Sequence, residues 1–214
     1  MSEELYFPKK GDHPFKIMGK ATNLTTCCSL AWFKQVNIND SYFAEAYKNS
    51  ADKIIYELEK NEDNQHPDSY FMPITFLYRH CLELKLKQLI FLCQQLNVLS
   101  NDDKIKKILN DHKLYPLWNI VKDGLVKVWP QGPNEDLIAV EGVIAQFHQI
   151  DKNGQTLRYS EDKNSNKTVR NFPDSVDLTH MMIIVNSTYT FLDACEIGLD
   201  AEIDAKNEML CLLT

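Results

Sequence analysis

The chain has 214 residues, of which 44% are hydrophobic and 25% charged, and its formal net charge is −7. That length carries one main domain with its own core, and the composition excludes fibrous and disordered classes. The acidic balance argues against a broad basic face for duplex nucleic acid and leaves room only for a local positive cleft or a basic partner.

The N-terminus, MSEELYFPKKGDH, has early acids and no apolar core of signal-peptide length, and no apolar run reaches the roughly 18 residues of a membrane span. A cytoplasmic chain with no membrane partner is expected. Six cysteines stand at 27, 28, 81, 93, 195 and 211 without C-x-x-C spacing, so neither a disulfide framework nor a metal site is indicated, and no cofactor motif is present.

In chain order, residues 1–38 contain Pro8, Gly11, Pro14 and Gly19 and no sustained period, and read as an arm packed on the domain. From Asp40, the spacing of Phe43, Ala44, Tyr47, Ala51, Ile54, Ile55 and Leu58 predicts an amphipathic helix to about Lys60, capped by Asp40 or Ser41. After the polar linker NEDNQHPD, residues Tyr70 to Leu96 predict a long helix capped by Asp68 or Ser69, with Pro73 in its first turn. This central helix is apolar nearly all round, which places it inside a bundle. At about 100° per residue, Arg79, His80, Glu83 and Lys87 share one narrow arc of it.

A short helix follows, begun by Asn101 or Asp102. Leu117, Trp118, Val121, Leu125 and Val128 then form a helical stripe with an interruption expected at Gly124. Glu135 to Ile150 is the next helix, with Leu137, Ile138, Val140, Ile144 and Phe147 toward the core. Residues 151–176, where QTLRYS and KTVRNF flank EDKNSN, read as a small β-hairpin or a loop insertion. A last core helix runs from Ser175 to about Ile197, and residues 199–214 form an amphipathic tail, a terminal helix or a contact to a second chain. The fold class is all-α: a bundle of four to five main helices, spanning 39–198, with the insertion before its last helix.

Within the central line, Glu83 is within helical reach of Arg79, His80 and Lys87. Two readings stand: an intrahelical ion-pair ladder, or a cleft in which His80 exchanges a proton, Glu83 orients it, and Arg79 or Lys87 holds an anion. His112, in the turn Asp111-His112-Lys113, either ends a helix or folds back beside Glu83 as a further catalytic candidate. Arg158 and Tyr159 suit phosphate binding and base stacking, and Arg170 would lie across the hairpin from Arg158.

Three stretches, FLYRHCLELKLKQLI, HKLYPLW and LRYSED, resemble the HEPN superfamily of helical-bundle domains over residues ~40 to 197. The resemblance implies a homodimer associated with RNA or nucleotides, in toxin–antitoxin or phage-defence systems with a toxin or antitoxin as protein partner. Active members are metal-independent ribonucleases with an Arg followed after four to six residues by His. No Arg in this chain has that spacing; Arg79-His80 is adjacent. The alternative expectation is a non-catalytic interaction or dimerisation module.

Overall fold

A helix with apolar residues on nearly every side has to be enclosed by others, and α2, Asp68–Gln95, is enclosed by α1, Asp40–Lys60, α4, Leu114–Val128, and α6, Leu178–Leu212. The short α3, Asp103–Leu109, packs on α4, and α5, Asn134–Ile150, lies against α4 and α6. This computed structural model describes residues 39–60, 66–132, 134–159, 161 and 172–212, within one compact unit, Asn39–Thr214. The arm 1–38 with Cys27 and Cys28, as well as Arg170, lies outside the described residues. The chain is all-α, with six helices among the described residues.

Helix ends follow local chemistry that differs in places from the expectation. Asn39, rather than Asp40 or Ser41, caps α1: its Oδ1 accepts the Tyr42 N–H at 3.2 Å. The residue before α2 is Pro67, without a side-chain cap, so the helix starts at Asp68 and Pro73 falls in its second turn. At the other end Asn97 takes φ 62°, and the Asn97 and Val98 N–H groups bond to the Gln94 and Cys93 carbonyls at 3.0 and 3.1 Å. That pair of bonds is a Schellman stop, which asparagine tolerates better than most side chains. Asp102 caps α3 as expected, accepting the Ile105 N–H.

The core is built on Leu82, Leu86, Leu89 and Ile90 of α2, Leu117, Trp118 and Val121 of α4, Ile144 of α5, and Val185 and Leu192 of α6. Helix α4 continues through Gly124 instead of breaking there. A Cβ at Gly124 would sit 2.8 Å from Cys93 Sγ and 3.1 Å from Leu99 Cδ1, so glycine lets α4 lie close to α2. Ile138 is 64% exposed: its spacing fits the α5 stripe, but only the side bearing Leu137, Val140 and Ile144 is covered. The tail is not separate, since α6 runs without a break from Leu178 to Leu212.

The first expected strand, QTLRYS, is a turn over its described residues. Arg158 and Tyr159 donate their N–H groups to the Gln155 carbonyl at 3.0 and 3.2 Å, and Asp151 Oδ1 accepts the N–H groups of Gln155 and Thr156. One carboxylate thus curls the segment that alternation alone presents as extended. Most of the second expected strand lies outside the described residues.

The close α2–α4 approach makes a definite prediction. Gly124→Val should lower unfolding free energy by about 2–3 kcal/mol through overpacking, measured by urea denaturation with an unchanged slope. Equal or greater stability would contradict the contact at Cys93.

Candidate functional site

Arg79 is 2% exposed at the middle of α2, and a buried guanidinium needs carboxylates and carbonyls around it. Its Nη1 donates to Glu83 Oε2 at 3.0 Å, its Nη2 to the His112 carbonyl at 2.6 Å, and its Nε to the Asp151 carbonyl at 3.3 Å. Asp151 Oδ2 adds an ionic contact 3.1 Å from Nε. One side chain therefore ties α2 to the α3–α4 turn and to the turn after α5. The expectation that Arg79 grips a phosphate is corrected: each part of its donor fork is spent inside the protein.

Both turns are shaped around this group. Gly154 has φ 70°, and a Cβ there would lie 3.3 Å from Arg79 Nη2, so two independent constraints call for glycine. His112 holds φ 55°, a left-handed conformation that costs a non-glycine residue about 1–2 kcal/mol. The bond from Arg79 to its carbonyl holds that conformation and turns the His112 ring back to Glu83.

Glu83 is the counterpart of Arg79. Besides Arg79, it meets Lys87 Nζ at 2.9 Å and His112 Nδ1 at 2.7 Å, both on Oε1. Burial pushes the Glu83 carboxyl upward, but the hydrogen bonds from Lys87 and His112 and the nearby positive charges outweigh it and hold it below the ordinary carboxylate value. An ionised carboxylate only accepts, so His112 Nδ1 carries the proton and the neutral ring keeps its lone pair on Nε2. Glu83 is 2% exposed and the His112 side chain 58%, so a buried anion backs a solvent-facing imidazole.

His80 lies apart from this dyad. Its Nδ1 is 4.0 Å from Glu83, and its ring stacks on Phe76 and meets the edge of Tyr47. Burial lowers its pKa, opposed by Glu83 and assisted by Arg79, Lys87 and His112. The Arg158 guanidinium lies over Phe76 and over Tyr159, 5.9 Å from each ring centre, and donates to the Gly154 carbonyl. Arg79, His80, Glu83, Lys87, His112, Arg158 and Tyr159 therefore gather around one junction, and Arg170 is outside the described residues.

Asp151, fully buried, ends the helical segment ahead of Arg158 as the sequence suggests, but its pairing with Arg79 is not visible there. A second buried cation was also missed. Lys85 Nζ meets Asp193 Oδ1 at 2.6 Å, bonds to Glu196, and lies 4.9 Å from the Tyr189 ring centre. Its sole sequence signal is a lysine inside the apolar run CLELKLKQLI. Nearby, Asp52 accepts from Tyr78 Oη at 2.6 Å and Lys48 Nζ at 2.9 Å. Among the described residues no His, Cys, Asp and Glu cluster suited to a metal occurs, and no helix is long and apolar enough to cross a membrane. A scan of family models and searches of curated proteins and solved structures match nothing to this chain.

The ion cluster predicts how stability depends on pH. Glu83 titrates lower when folded than its ordinary 4.5, so its contribution is complete above that value and lost as pH falls through the lowered one. Glu83→Gln should cost about 3 kcal/mol near neutrality, by leaving Arg79 short of a counter-charge, and should flatten the acid limb of a stability–pH curve. His80 also titrates lower when folded than its ordinary 6.5, so stability falls as acidification forces a proton onto the half-buried ring. His80→Phe should therefore flatten the curve between about pH 5 and 7. A wild-type curve level across both ranges would contradict these assignments.

Proposed function

We propose that this chain is a HEPN-like protein that binds or cleaves RNA or a nucleotide, with His112 and Glu83 as its proton-transfer pair. One observation carries the reading: buried Glu83 holds His112 Nδ1–H at 2.7 Å while the imidazole stays exposed. Such a carboxylate fixes the tautomer and leaves the Nε2 lone pair turned away from it and open to accept a proton. Lys87 shares the same carboxylate oxygen and places a positive charge beside the ring, and the exposed Arg158, bonded to the Gly154 carbonyl, is a further cation on the Arg79 junction. In this reading Lys87 and Arg158 neutralise phosphate, Tyr159 offers a stacking face, and Arg79 and His80 support the pair from within.

For cleavage, His112 Nε2 takes the proton of a ribose 2′-hydroxyl as its oxygen attacks the adjacent phosphorus, the 5′-oxygen of the next nucleotide leaves with a proton taken from water, and His112 then returns its own proton to solvent. The products are a cyclic phosphate and a free 5′-hydroxyl. The resemblance adds a homodimer and a toxin or antitoxin partner to the proposal, and a cytoplasmic setting is part of the same reading.

Incubating the protein with single-stranded RNA and EDTA should give fragments ending in cyclic phosphate. His112→Ala should reduce their formation by at least about 100-fold, within the usual range for a general base, with the variant still fully folded at the assay temperature despite the lost hydrogen bond to Glu83. For binding alone, Lys87→Ala should weaken RNA affinity. RNA left intact and unbound at stoichiometric protein would overturn the reading. A non-catalytic interaction module is the second reading, favoured by the burial of Arg79. It requires Glu83→Gln to lower stability or self-association while no RNA binding is lost.

A further inference from the structure

We propose that the outer face of α6, from His180 to Asp204, is the seam on which a second copy of this chain docks, with the two α6 helices antiparallel. The proposal gives a surface to the homodimer of the preceding reading and rests on that part of it alone, not on the RNA chemistry.

From Ile183, alternating steps of four and three run through Ser187, Thr190, Ala194 and Ile197 to Ala201, which is the spacing of a coiled-coil seam. The opposite side of the helix, with Val185, Leu192 and Leu199, faces the core. All six seam residues are exposed, Ile183 at 58% and Ile197 at 65%, and none carries a charge. The same spacing reaches His180 at one end and Asp204 at the other, both exposed. The uncharged stretch is therefore bounded by a basic ring and an acid.

An antiparallel second copy turns this order into complementarity, because each seam position then faces the alternate set of the other helix. Ile183 meets Ala201 of the second copy, Ile197 meets Ser187, and Thr190 meets Ala194. Every one of these layers sets a larger side chain against a smaller one, as close helix packing requires. The same register places His180 opposite Asp204 at both ends of the seam, a ring N–H donor against a carboxylate. In a parallel pair like would face like: isoleucine would crowd isoleucine, alanine would leave a gap, and Asp204 would meet Asp204. The occupant that fits is the same helix reversed.

The neighbouring side chains permit the contact. Asp193 would approach its own copy across the twofold axis, but it is already paired with Lys85 at 2.6 Å, which weakens that repulsion. The Thr190 hydroxyl donates to the Asn186 carbonyl at 2.9 Å, so closing the seam strands no donor there.

Sedimentation equilibrium of the full chain tests the seam. The wild type should dimerise reversibly. Ile197→Glu should weaken the dimer at least about tenfold by setting a carboxylate into two closed layers, with unchanged circular dichroism because the side chain is exposed. Ile183→Glu should act alike from the other end. His180→Asp should weaken association by setting carboxylates face to face, and adding Asp204→Lys should restore it. A dimer that both glutamate variants leave intact would overturn the seam while the homodimer stands on another surface. A chain monomeric at millimolar concentration would overturn both. A double variant no tighter than His180→Asp would overturn the antiparallel register.

Discussion

The Arg79 guanidinium is the constraint around which this end of the bundle is arranged. A charge buried to 2% exposure is tolerated only when its donor fork is matched, and the match comes from three chain segments: Glu83 one turn on, the His112 carbonyl, and Asp151. The left-handed turn at His112 and the glycine at 154 follow from that demand. So does the His112–Glu83 pair, because the carboxylate that balances Arg79 still has an oxygen to offer Lys87 and the imidazole. Structure and chemistry share one ion network, and weakening Arg79 would loosen both turns at once.

The same helix carries a second polar attachment on its other side. Tyr78 and Lys85 lie roughly 100° or more around the helix from the Arg79 line and reach Asp52 on α1 and Asp193 and Glu196 on α6. α2 is thus an apolar spine fixed by directional bonds on two sides. Hydrophobic burial supplies the bulk of its packing free energy, while the buried ion pairs set rotation and register rather than adding much net stability.

Much of this was legible in the residues. The all-apolar circumference of α2 marked it as enclosed, and the i,i+4 steps from Arg79 to Glu83 to Lys87 marked the ion line, both being local properties of one helix. His112 beside Glu83 was legible only as an alternative, since their meeting depends on a turn far along the chain. The pairing of Asp151 with Arg79 and the burial of Lys85 were not legible. Their partners lie on other helices, which no periodicity describes. The strand expected at QTLRYS failed because the side chain of Asp151 captures the backbone N–H groups of Gln155 and Thr156. The break expected at Gly124 failed because packing against Cys93 compensates the helix penalty of glycine.

The central claim is that buried Glu83 holds His112 with its proton on Nδ1. Ring nitrogen shifts of His112, read by 15N NMR at a pH where the imidazole is neutral, test this most directly. The account predicts a proton on Nδ1 and a bare Nε2 in the wild type, and a return to the tautomer mixture of free histidine in Glu83→Gln. A wild-type His112 that already shows the free-histidine mixture would contradict it.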